Sequence, residues 1–203
     1  MEIGDTPYVL APGSYFTHEY EETDFSDDKF HIVYGGNLRK DKGGAYLAIE
    51  AAKYLSDRYV VHSLSGSYSD YELKDIMDEI SNVQNQTGAS IIFEGSKFGD
   101  EYFEFLTKCD IGLATQHNGD FSNTSFPSKI LTYLGCGLKV VSTPIDAVRL
   151  SPVSDFVFSY KESEGKSIAD CIIRAVELDD IDVVDMLKVL DGTLKNEIRT
   201  LMS

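Results

Sequence analysis

Six short runs rich in β-branched and aromatic residues recur along this chain, separated by stretches of helical spacing. That alternation restricts the fold more than any other feature. The runs are 30–34 (FHIVY), 59–64 (YVVHSL), 90–94 (SIIFE), 111–115 (IGLAT), 138–143 (LKVVST) and 155–160 (DFVFSY). Leu47, Ala48, Ala51, Ala52 and Leu55 share one side of a helix, and Leu73, Ile76, Met77, Ile80 and Val83 share one side of the next. Residues 100–108 read as a short helix with Asp100 placed to cap it, and Ile168, Cys171, Ile172, Ala175 and Val176 repeat the stripe after the last run. Strands separated by helices return in parallel. The expected fold is therefore α/β, a Rossmann-like doubly wound parallel sheet with its ligand crevice at the carboxyl ends of the strands.

Two connections carry chemistry. Residues 35–44 (GGNLRKDKGG) form a glycine-rich basic loop directly between the first strand and its helix. The stretch 121–143 (FSNTSFPSKILTYLGCGLKVVST) reads as polar loop, helix and buried strand. There Ser125 stands in a capping position, with Pro127 near the first helical turn, where its missing N–H costs nothing. Ile130, Leu131 and Leu134 make the apolar face, and Gly135-Cys136-Gly137 stops the helix, because glycine takes the left-handed conformation freely. The amino end of such a helix carries unpaired N–H donors and roughly half a positive charge, which suits a phosphate or a sugar hydroxyl.

The chain has 203 residues, 42% of them hydrophobic and 11% aromatic, enough for one packed domain. Its 18 basic and 34 acidic residues give a formal net charge of -16. That charge repels nucleic acid and anionic lipid, so no nucleic-acid partner is expected and an anion site must rest on local basic groups and backbone amides. Cys109, Cys136 and Cys171 lack metal or redox spacing and read as reduced thiols of a cytoplasmic protein. No apolar run reaches the roughly 18 to 20 residues that span a bilayer, which leaves only peripheral membrane contact open. Residues 1–29 read as an acidic, solvated lead-in that a preceding domain would hold, 30–178 as the ligand-binding unit, and 179–203 as a helical tail with a break at Asp191-Gly192.

Four segments in order, GGNLRKDKGG, FEG (93–95), DEYFEFLTKCDIGLAT (100–115) and FPSKILTYLGCGLKVVST (126–143), resemble the C-terminal, donor-binding half of GT-B glycosyltransferases of family 4. The resemblance covers roughly residues 8–178. It implies a single C-terminal domain of a GT-B fold that binds a nucleotide sugar, UDP- or GDP-linked, without a metal or other cofactor. It further implies an acceptor domain supplied before it in cis or by another chain. The reaction implied is transfer of a sugar, with retention, to a saccharide or lipid-linked acceptor in bacterial surface polysaccharide synthesis.

Residue by residue, the resemblance places the diphosphate against Gly35, Gly36 and Lys42, with Asn37 where the family has an arginine and Arg39 close enough to stand in for it. Thr124 and Thr132 occupy the positions of two family glutamates, and the second position contacts the ribose. Ser125, Phe126, Ser128 and Lys129 begin the helix that meets sugar hydroxyls and the distal phosphate. Phe98 follows FEG and packs near the base. The lost glutamates and arginine also fit a non-catalytic binding or regulatory module, and an epimerase or phosphorylase would share the fold. His18, His31, His62 and His117 show no metal-ligand spacing, although His117 falls in a loop bordering the crevice.

Overall fold

The computed structural model describes residues 13–17, 24–117, 123, 125–178 and 183–202. In chain order the elements are β1 (Phe30–Gly35), α1 (Gly44–Ala52), β2 (Tyr59–Leu64), α2 (Asp70–Thr87), β3 (Ser90–Gly95) and α3 (Asp100–Leu106). They continue with β4 (Ile111–Ala114), α4 (Lys129–Gly135), β5 (Lys139–Ser142), α5 (Asp146–Arg149), β6 (Val157–Ser159), α6 (Gly165–Glu177) and α7 (Val183–Met202). The strands form one sheet in the order β3-β2-β1-β4-β5-β6, and every neighbouring pair is parallel. The chain winds outward from β1 to one edge, then returns to the centre and winds to the other. The crevice such a reversal opens lies between the carboxyl ends of β1 and β4.

The strands are buried on both faces, and the pleat divides their side chains between two cores. Ile32 and Tyr34 belong to a core completed by α1, α2 and α6, whereas Val33 belongs to one completed by α3, α4 and α7. The helical stripes account for the first core: Ala48, Ala51, Ile76, Ile80, Val83, Ile168, Cys171, Ile172 and Ala175 are all buried. Met77, counted in that stripe, lies at its margin and is 41% exposed.

Several boundaries differ from those the sequence suggests. Gly99, at φ 55, caps α3, so Asp100 is its first helical residue; the turn needs a left-handed backbone that aspartate adopts less readily than glycine. The helix after Pro127 begins at Lys129 with Ser128 before it, and no side chain caps it. Pro127 instead contributes its carbonyl, which accepts the Ile130 N–H at 3.0 Å. A 3-10 turn, Ser154–Phe156, replaces the first half of the sixth run. The tail does not break at Gly192, which stands in open space inside α7. An exposed glycine costs a helix about 1 kcal/mol, less than the packing of Val183 and Leu187 returns.

The lead-in is also more than a solvated connector where it is described. Tyr15 is buried in the second core, and Phe25 stacks on His31 with ring centroids 3.8 Å apart. Gly135 leaves room for the Phe16 carbonyl, where a Cβ would collide.

Candidate functional site

The β1 strand ends at Tyr34-Gly35 and runs into Gly36, and three tyrosine hydroxyls gather there. The Gly35 N–H donates to the Tyr133 hydroxyl at 2.8 Å, and a Cβ on Gly35 would stand 3.1 Å from the hydroxyl of Tyr102. The Gly36 N–H continues the β1–β2 pairing by donating to the Leu64 carbonyl at 3.0 Å. A Cβ on Gly36 would come within 2.6 Å of the Tyr34 hydroxyl and 2.8 Å of Lys129 Nζ. Glycine is needed here for the space it leaves.

Lys129, the first residue of α4, lays its ammonium over the Tyr34 ring, 4.3 Å from the centroid. The residue is half-buried as a whole, and protein surrounds its ammonium. That enclosure pulls the amine down to about 8 from its ordinary value. No carboxylate partners Lys129 among the described residues. A ring face offers a cation a fraction of what a carboxylate would, so the described residues leave this positive charge uncompensated. An incoming anion would supply what is missing.

Tyr133 fixes the helix that carries Lys129. Its ring is fully buried and lies over Gly112 in β4, where any Cβ would overlap it, and its hydroxyl reaches across to Gly35. One side chain thus ties α4, β4 and the end of β1 together. A glycine inside an otherwise β-branched run signals a close approach, and Gly112 was that signal in the sequence. The partner that makes the approach could not be read there.

Beside the glycine turn opens a cavity of about 340 Å³, bounded by Gly35, Gly36, Leu64, Phe98, Tyr102 and Phe103 among others. It sits at the carboxyl ends of β1, β2 and β3, next to the reversal of strand order. Phe98 is 66% exposed on its wall, an apolar ring facing solvent. A larger cavity, about 490 Å³, lies at the opposite end of the sheet, where Phe30, Ile111 and Lys139 begin their strands. We assign the function to the smaller one, because parallel sheets bind ligands at their carboxyl ends and Lys129 stands at that end.

The remaining candidates divide. Asn37 shapes the loop: its side-chain oxygen accepts the Arg39 N–H at 2.6 Å, and its carbonyl accepts the Tyr34 hydroxyl at 3.1 Å. The Arg39 guanidinium is held by Asp41 through two hydrogen bonds, at 2.9 and 2.7 Å, which reduces what it offers an anion. Lys42 is exposed, and its carbonyl accepts the His117 N–H at 3.2 Å, so the loop after β4 braces the basic loop. Ser125 and Ser128 are exposed before α4, and Phe126 packs into the second core. Thr132 is half-buried on α4 and does not line the cavity. Thr124 lies outside the described residues. Tyr34, Tyr102 and Tyr133 were missed by the sequence reading.

No family model matches the sequence, and no curated protein matches it either. Solved structures do share its fold. A glycosyltransferase from Rickettsia africae superposes with a TM-score of 0.63 at 15% identity, over 84% of this chain and 44% of that one. Anabaena HepE in complex with UDP-glucose gives 0.66 at 15% identity, over 86% and 48%. The α,α-trehalose-phosphate synthase (UDP-forming) of Burkholderia vietnamiensis gives 0.63 at 10%, over 84% and 41%. The fold is that of a GT-B glycosyltransferase half. The chain spans less than half the length of these three proteins. At such identities the likeness is one of fold, and none of the site residues follows from it.

Proposed function

We propose that this chain is the donor-binding half of a glycosyltransferase of the family 4 type, holding a nucleoside diphosphate sugar in the crevice beside Gly35 and Gly36. The observation that carries this reading is the enclosed Lys129 ammonium, without a carboxylate partner among the described residues, set against the glycine turn and next to a cavity with an apolar wall. A diphosphate matches the charge, and a base matches the wall at Phe98. In sugar transfer the diphosphate leaves with its negative charge increasing, and a fixed cation beside it lowers the barrier. Lys42, exposed on the neighbouring loop, adds a second, weaker charge.

The transfer itself belongs to a cleft whose other wall an acceptor domain supplies. The proposed acceptor is a saccharide or lipid-linked saccharide of a bacterial surface polymer, with retention of configuration. Binding of UDP, GDP and their glucose conjugates, followed by calorimetry, tests the reading. Saturable heat with at least one, reduced in Lys129→Met, is the expected result; a flat titration with all of them would sink it. A non-catalytic nucleotide-sugar module is the second reading, favoured by the threonine at 132 and by a cavity lining without any acid among the described residues. Reconstitution with an acceptor domain separates the two, since only the enzyme then turns over.

A further inference from the structure

A nucleoside diphosphate presents a base, a pentose and phosphates, and the crevice holds a counterpart for each. Phe98, Phe103 and Leu64 line it with apolar surface, Gly36 borders it beside the Lys129 ammonium, and the Tyr102 hydroxyl stands next to Gly35. Three side chains with polar ends line this cavity: Ser65, Lys97 and Tyr102. Two are committed elsewhere. The Ser65 hydroxyl donates to the Ser67 carbonyl at 3.1 Å, and Lys97 pairs with Glu101 at 3.1 Å while lying over the Phe105 ring. The Tyr102 hydroxyl has no hydrogen-bond partner among the described residues, although it stands beside Gly35 and is half-buried.

Thr132, where the resemblance puts the ribose contact, is half-buried on α4 and is not among the residues that line the cavity. Resting on the donor-binding reading, we infer that Tyr102 is the residue that hydrogen-bonds the ribose hydroxyls of the bound nucleotide, in place of a group at position 132. The phenol both donates and accepts, so it serves a vicinal diol without bringing a further negative charge to an acidic protein. This makes Tyr102 a determinant of ribose recognition, while phosphate affinity stays with Lys129.

The inference is tested by titrating UDP and GDP and their 2′,3′-dideoxy forms into the parent, Tyr102→Phe and Thr132→Val. In the parent, removing the hydroxyls should weaken binding about fivefold, the equivalent of one neutral hydrogen bond. In Tyr102→Phe the normal nucleotide should bind about as weakly as the dideoxy form, and Thr132→Val should keep the parent's gap. Inorganic pyrophosphate should bind the parent and Tyr102→Phe equally, which shows that the variant has kept its fold and anion site. A full gap in Tyr102→Phe, or a gap lost in Thr132→Val, overturns the inference while the donor-binding reading stands. No binding of any nucleotide to the parent overturns both.

Discussion

A single amine, that of Lys129, decides how this site responds to pH. Enclosure pulls it down to about 8, and a bound diphosphate would push it back up, because the anion favours the charged form. Below about pH 8 the free protein already carries the charge, and affinity for a diphosphate is complete. As the pH rises through that value, each binding event must first take up a proton, so affinity falls. Calorimetry near pH 9 in two buffers of different ionisation heat should show proton uptake, absent in Lys129→Met. Equal heats in both buffers would refute the assignment. Loss of this charge-assisted contact should weaken binding roughly tenfold to a hundredfold. Lys129→Met should nevertheless unfold at a higher temperature at neutral pH, because it removes an enclosed charge that no described carboxylate compensates. Lys42→Ala, on an exposed loop, should cost about 1 kcal/mol of binding or less.

Helix α4 has only seven residues and no side-chain cap, so its position depends on what it packs against. Ile130, Leu131 and Leu134 bury its apolar face, and Tyr133 locks its rotation by lying over Gly112. Gly112→Ala should therefore destabilise the protein by about 1 to 3 kcal/mol, read from urea unfolding, since a methyl group there collides with a fully buried ring. The same change should weaken diphosphate binding, because displacing Tyr133 moves Lys129 with it. An alanine variant of unchanged stability and affinity would show that α4 is held by its aliphatic contacts alone. The helix stop behaves as its sequence suggests: Gly137 takes φ 82 beyond the last turn.

Across the whole molecule, a chain of hydrogen bonds joins the lead-in to three strands. Asp27 meets His31 at 2.8 Å, His31 meets His62 at 2.9 Å, and His62 meets Glu94 at 2.8 Å, with Phe25 stacked on both imidazoles. Burial lowers the proton affinity of His62 below the ordinary imidazole value, while Glu94 opposes it. The folded state thus binds fewer protons there than the unfolded chain. The stability this provides is complete above about pH 6.5 and is lost as the pH falls through the lower folded value. The bond to His31 lowers Asp27 as well, so its contribution is present above the usual carboxylate range and disappears in stronger acid. Urea midpoints should drop between pH 7.5 and 5, and His62→Asn should flatten the upper part of that slope; a parallel slope would exclude His62 as its source. The doubly wound architecture was legible from sequence because period and burial are local: FHIVY and YVVHSL cannot sit comfortably except in a sheet covered on both faces. The glycine turn and Lys129 were legible as separate motifs for the same reason. What only the tertiary structure decided is which groups meet. Tyr102, Tyr133 and Tyr34 come from three different elements, and their convergence on Gly35 and Gly36 follows from how α3 and α4 dock, which depends on side-chain volumes distant in the chain and leaves no periodic trace in it.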